Sequence, residues 1–225
     1  MSERDTILPN NNNFKLWSWK TLLRDHTRFL SILPNYLAAY IVPGYSLTPA
    51  TIESVMMTMN SVNTCPYCTG LHGQLARMAG VDNPNASDPE VVYATAFAKE
   101  CGRGSAVSSA YDTLLSKVGE KKAKSVQALC WALLWGKTTG NTINNARDKI
   151  IKKWEFTQVT SVELFVVAYY GPLFLVIGVL NAILTKAPSI PKVVSAGVGA
   201  VLWVPQALNI VPLGVASVIL NCGVV

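Results

Sequence analysis

The last 65 residues of the chain, Ser161 to Val225, hold only three charged side chains: Glu163, Lys186 and Lys192. Two uncharged runs result, Leu164 to Thr185 with 22 residues and Val193 to Val225 with 33. Water does not solvate such surface for free, so this third of the molecule must be covered by protein or by lipid. The first run is long enough to cross a hydrocarbon layer, which takes about 20 apolar residues. The second is broken by Pro205 and Pro212 and softened by Gly197, Gly199 and Gly214. Two arrangements satisfy this pattern. One is a core helix followed by an apolar tail buried in an oligomer; the other is membrane contact through 164–225, with a hairpin turning between Lys186 and Lys192. The bias extends to the whole chain, of which 14% is charged against about 25% in an average soluble domain. Disorder is excluded.

Upstream, the apolar residues fall at helical spacing and nowhere alternate with period two. Leu16, Trp19, Leu23, Leu30 and Leu33 form one stripe, with His26 on it, and Pro34 is expected to end the helix; a short run, Tyr36 to Val42, follows. Thr48-Pro49 reads as an N-cap followed by proline at the first helical position. Cys65-Pro66 opens another helix, with Leu71, Leu75 and Met78 facing inward and Gly80 closing it. Helices are then expected over Val91–Cys101, Ala106–Val118, Lys122–Trp135, Thr142–Lys153 and Val162–Leu184, with a break at Gly136–Gly140. The chain therefore reads as all-α: a polar tail over 1–13, a single compact helical domain over 14–185 and an apolar C-terminal extension over 186–225.

The 19 Lys and Arg exceed the 13 Asp and Glu by six, but they are scattered. Only Lys121, Lys122, Lys124 and Lys149, Lys152, Lys153 cluster, without interleaved aromatics on which bases could stack, so no nucleic-acid partner is expected. Five cysteines and no apolar leader after Met1-Ser2-Glu3 suggest a reducing compartment, the cytoplasm or an organelle, peripheral or integral to a membrane if the C-terminal runs meet lipid.

The densest chemistry lies in Cys65-Pro66-Tyr67-Cys68-Thr69-Gly70-Leu71-His72. Cys65 and Cys68 are three apart and Cys68 and His72 four apart, so on an α-helix the three side chains share one face. They stand at a helix start, where unpaired N–H groups and the helix dipole favour a thiolate. Peroxide or disulfide chemistry needs this set: an attacking thiolate, a base for its proton, and a second thiol to close a disulfide. Two inert core cysteines are the plain alternative. Zinc is another: Cys65, Cys68 and His72 give three ligands and Glu53 could give a fourth, but no second Cys-x-x-Cys or His pair completes a tetrahedron, so no metal is expected. Covalent haem attachment would need His where Thr69 stands.

Glu53 twelve residues before Cys65, then Cys-x-x-Cys, then His72 four after Cys68, resembles the core of the alkylhydroperoxidase D and carboxymuconolactone decarboxylase superfamily. The resemblance extends more weakly to Leu33–Gly44 and Lys121–Leu184. It implies an all-α fold assembled as trimers or larger rings, which reduces organic hydroperoxides with an external dithiol donor and no organic cofactor. By the same resemblance Cys68 attacks, Cys65 resolves, and His72 with Glu53 relays the proton; analogy with thioredoxin, whose first cysteine attacks, favours Cys65 as the nucleophile instead, and the order stays open. Ile52 stands where many members have arginine, and Leu175-Val176-Ile177-Gly178 lacks the polar residues expected there. The decarboxylase branch lacks the cysteine pair, which argues against its reaction here.

His26 reads as a packed residue, and Cys101, Cys130 and Cys222 as small buried hydrophobes. Trp131 and Trp135, one turn apart, read as core. Gly197-Val198-Gly199 lacks the third glycine of a dinucleotide fingerprint. The expected function is a thiol-dependent peroxidase or disulfide reductase, homo-oligomeric or a subunit of a larger complex. The alternative is a non-catalytic accessory subunit of a membrane-bound complex on the same scaffold.

Overall fold

A computed structural model describes residues 16–62, 66–186 and 208–220. The tail over 1–13, Cys65, Gly197-Val198-Gly199, Cys222 and the turn expected between Lys186 and Lys192 lie outside the described residues. Among the described residues the structure is helical with no strand. Helix α1 spans Trp19–Ile41, α2 Pro49–Val62, α3 Pro66–Ala79, α4 Pro89–Glu100, α5 Ser105–Val118, α6 Glu120–Arg147 and α7 Ser161–Lys186, and α8 covers Leu208–Leu220.

Local chemistry sets several of these boundaries. Ser18 caps α1 reciprocally with Thr21: each side chain bonds the other residue's backbone N–H. Thr48 caps α2 as expected, its hydroxyl accepting from the Thr51 N–H at 3.1 Å. Gly80, at φ +75°, turns the chain out of α3 in the left-handed conformation that glycine adopts without strain.

Two expected breaks are absent. Pro34 does not end α1; the helix runs through it to Ile41, with Pro34 itself exposed. Proline removes one N–H from the ladder, but Leu33, Tyr36 and Ala39 continue the buried face begun by Leu22, His26 and Phe29, and that burial outweighs the lost bond. Gly136–Gly140 likewise does not interrupt α6, a 28-residue helix. This helix is the axis of the molecule, packed against α1, α2, α3, α4, α5 and α7. Its middle is buried on nearly every side, from Ala128 through Leu133 and again at Lys137, Thr138, Thr139 and Gly140. The threonine hydroxyls are absorbed by carbonyls one turn back: Thr138 to Leu134, Thr139 to Trp135 and Thr142 to Thr138.

The N-terminal end of α1 is pinned to this axis by Trp17, whose backbone N–H donates to Thr142 Oγ1 at 3.0 Å and whose indole donates to Thr139 Oγ1 at 3.1 Å. Helix α7, which continues through Pro172, packs on α3 and α6. Its inward residues Val166, Tyr170, Leu173, Phe174 and Ile177 join the core, while Leu175, Val176, Val179 and Ile183 are exposed. Helix α8 lies against α1 and α7: a Cβ on Gly214 would meet Leu30 Cβ at 3.0 Å, and Tyr169 donates to the Asn209 carbonyl at 3.0 Å.

Candidate functional site

Helices α2 and α3 pack on one another and bring Glu53 to His72. His72 Nδ1 lies 3.0 Å from Glu53 Oε2, with the two side chains 15% and 6% exposed. A carboxylate only accepts, so Nδ1 carries the proton and donates it to Glu53; Nε2 is then the ring nitrogen not held by the carboxylate. Cys68, one turn before His72, is the third residue of α3 and is buried. It sits in the first turn, where the helix leaves backbone N–H groups unpaired and favours negative charge.

Glu53, Cys68 and His72 line one cavity of ≈ 60 Å³, room for a few water-sized groups at about 10–15 Å³ each. Its remaining walls are largely apolar: Met56, Leu71, Leu75, Leu133, Phe174 and Ile177, with Trp135 and Gly136 from α6. Cys65, the fourth residue of the expected set, lies outside the described residues. Ile52 is buried in the core beside Glu53. Of the apolar quartet at 175–178, Ile177 faces the cavity and Leu175 and Val176 face outward.

Sequence reasoning missed two members of this cavity, Tyr36 and Tyr40 from α1. Their rings meet edge to face with centroids 5.5 Å apart. Burial pushes the Tyr36 phenol up to about 12, and burial pushes Tyr40 well above its usual value too, with the Glu53 charge adding to both shifts. Both phenols keep their protons at neutral pH, and their hydroxyls are hydrogen-bonded to one another. Their four-residue spacing was visible, but placing a helix end at Pro34 hid that they continue the inner face of α1.

Gly70 explains how α7 closes on the site. Asn181 of α7 lies so near that a Cβ at position 70 would meet its Nδ2 at 2.6 Å, and Arg77 Nη2 of α3 donates to the Leu184 carbonyl at 3.3 Å. The missing Cβ at 70 leaves room for the Asn181 amide between Cys68 and His72; a larger residue would require that side chain to shift.

The remaining histidine is wholly buried. His26 Nδ1 donates to the Leu22 carbonyl at 2.6 Å, so Nε2 is the acceptor; it receives the Trp135 indole N–H at 3.1 Å and also meets the Tyr170 hydroxyl. Burial lowers its pKa from 6.5 to about 4, against smaller opposing effects of the Leu22 carbonyl and Asp25. It is a neutral tie between α1, α6 and α7, as its place on an apolar stripe suggested. Cys130 is fully buried and desolvation pushes its thiol up, which makes it inert, whereas Cys101 is half-buried at φ +51°. Trp131 and Trp135 are core residues, and Arg28 lies over the Trp131 ring at 4.3 Å. Among the described residues no group of three or more His, Cys, Asp or Glu side chains is arranged to hold a metal ion.

No protein-family model, no curated protein and no solved structure matches the chain.

Proposed function

We propose that the protein is a thiol-dependent peroxidase or disulfide reductase that works with the Cys65/Cys68 pair and a His72–Glu53 relay. The observation that carries this reading is that a histidine oriented by a carboxylate at 3.0 Å lines the same small, mostly apolar cavity as a cysteine in the first turn of a helix. In the forward reaction His72 takes the thiol proton and the Cys68 thiolate attacks the terminal oxygen of an organic hydroperoxide. The O–O bond breaks, sulfur is oxidised to sulfenic acid, and the alkoxide leaves as alcohol with the proton from His72. The Cys65 thiol then displaces water from the sulfenic acid to form a disulfide, and an external dithiol returns both cysteines to thiols. Glu53 holds the imidazole in one tautomer and stabilises its cation, and the Tyr36 and Tyr40 rings wall the same cavity.

The test is consumption of cumene hydroperoxide with a dithiol donor. Cys68→Ser should abolish turnover, while Cys65→Ser should leave a sulfenic acid that dimedone labels. If no hydroperoxide is consumed and neither variant changes thiol reactivity, the catalytic reading fails. A second reading, an accessory subunit of a membrane-bound complex, is favoured by the exposed apolar outer face of α7. It would be supported by stable, stoichiometric recovery with a membrane complex that is insensitive to Cys68→Ser.

A further inference from the structure

We propose that the tip Ile151–Phe156, between α6 and α7, is an interfacial anchor that seats the protein on an anionic lipid bilayer. The inference is independent of the thiol chemistry. Within six residues this tip exposes three large apolar side chains: Ile151 by 64%, Trp154 by 75% and Phe156 by 55%. Scattered exposed apolar residues are ordinary, but three together on one turn are a patch. The Trp154 and Phe156 rings pack edge to face with centroids 5.8 Å apart, so they form one apolar plug.

The backbone is built to present that plug. Helix α6 ends in a π-turn over Asp148–Lys152, and Trp154 sits at φ +55°, a left-handed conformation that bulky residues avoid. The turn is held by the Lys153 N–H on the Asp148 carbonyl at 3.1 Å and the Glu155 N–H on the Lys149 carbonyl at 2.9 Å. Below it, Lys149 binds both oxygens of buried Glu163 at 2.9 Å, which fixes the tip to the first turn of α7. A second indole stands at the same end of that helix: Trp19, 44% exposed, donates to Ser161 Oγ and packs on Phe165.

Charge selects the occupant. From Arg147 to Phe156 the chain has four cations and two anions; Glu163 neutralises Lys149, Asp148 engages Arg147 and Lys152, and Lys153 is exposed with no ion pair among the described residues, which leaves an excess of one positive charge at the tip. Tryptophan with lysine at the end of an apolar helix is the composition of a membrane interface, where the indole takes the headgroup level and the ammonium meets lipid phosphate. Docking on the surface is favoured over spanning. Helix α7, with 26 residues and a mean hydropathy of 2.0 over its most apolar window, is long enough to cross, but Tyr170, Phe174 and Ile177 are committed to the core. With that face packed on α3 and α6 and the opposite face exposed, the helix can lie along a bilayer surface.

The experiment is co-sedimentation of the full chain with vesicles of phosphatidylcholine alone and of phosphatidylcholine with phosphatidylglycerol. The wild type should bind the anionic vesicles and bind the neutral ones much more weakly. Lys152→Gln and Lys153→Gln should each weaken anionic binding about fivefold. The double variant Trp154→Ser/Phe156→Ser should remove most of it, and Trp154→Leu should retain more than Trp154→Ser; an unchanged circular-dichroism melt separates lost binding from lost folding. No vesicle binding, equal binding to neutral vesicles, or full binding by the double variant would overturn the proposal. So would a serine variant that converts a dimer to a monomer in the absence of lipid, because the plug would then cover a second copy of the chain.

Discussion

The two histidines both lie near Trp135 of α6 and differ in the partners they keep. His26 has every polar atom taken: one nitrogen donates to a carbonyl, and the other accepts from an indole and meets a phenol. His72 has one nitrogen on a carboxylate and lines a cavity. Burial alone does not separate them, since both are shielded from solvent. What separates them is the partner. At His26 the Leu22 carbonyl and the Asp25 charge favour a proton only weakly, so desolvation wins and the ring stays neutral. At His72 the partner is a carboxylate, and the other ring nitrogen is not held by it. Trp135 belongs to both places: its indole N–H holds His26 while the same residue walls the His72 cavity.

The comparison breaks first at His72. If His72 is the base, His72→Gln should lower hydroperoxide turnover by about 10²–10⁴-fold with little change in melting temperature, and Glu53→Gln should fall in the same range while moving the pH profile of turnover. The melt and the rate should dissociate in the other direction at His26. Replacing it by leucine leaves the Trp135 N–H unpaired in the core, and an unsatisfied buried donor costs about 1–3 kcal/mol. His26→Leu should therefore lower stability in a denaturant titration, with turnover per folded molecule nearly kept. A loss of turnover at unchanged stability would erase the distinction.

Acid sharpens it next. His26 takes up its proton near pH 4 when folded and near 6.5 when unfolded. Between these values the unfolded chain binds the extra proton, so stability is full above about pH 6.5, declines as pH falls, and levels off below about 4. The separation of 2.5 units amounts to at most about 3 kcal/mol. In urea titrations across this window His26→Leu should show a flatter pH dependence than the wild type, whatever its absolute stability.

Legibility in the sequence followed the same division. Cys68 and His72 were readable because they are local, one helical turn apart; Glu53, a helix away, was joined to His72 only through the family resemblance, and Cys65 lies outside the described residues. The caps at Thr48 and Gly80 were readable because they are chemistry of single residues. The long α6 was not. A helix reveals itself by a stripe when one side meets water, and α6 meets protein almost all round, so its small residues at 136–140 looked like a loop. Pro34 misled for a related reason, because the burial of Tyr36 and Ala39 that overrides it comes from distant helices. Tyr36 and Tyr40 were lost to the site with it. The outer face of α7 was legible as a problem, an apolar run needing cover, and not as an answer, because one helix faces the core on one side and exposes Leu175, Val176, Val179 and Ile183 on the other.

The smallest expected effect falls on α6 itself, at Gly136, next to the tryptophan that both histidines share. A Cβ at this position would have nothing within 4 Å, yet the residue lines the cavity. Gly136→Ala therefore removes the entropic cost of a glycine inside a helix without creating a clash, which should stabilise the fold by about 0.5–1 kcal/mol. The same methyl takes space from a cavity of ≈ 60 Å³. If substrate enters there, the variant should melt higher and show a raised KM for bulky hydroperoxides such as cumene hydroperoxide, with hydrogen peroxide less affected. A higher melting temperature with unchanged KM for both would mean that the reacting oxygen approaches Cys68 from outside this cavity, and the part of the contrast that assigns the His72 cavity to chemistry would have to be redrawn around another entrance.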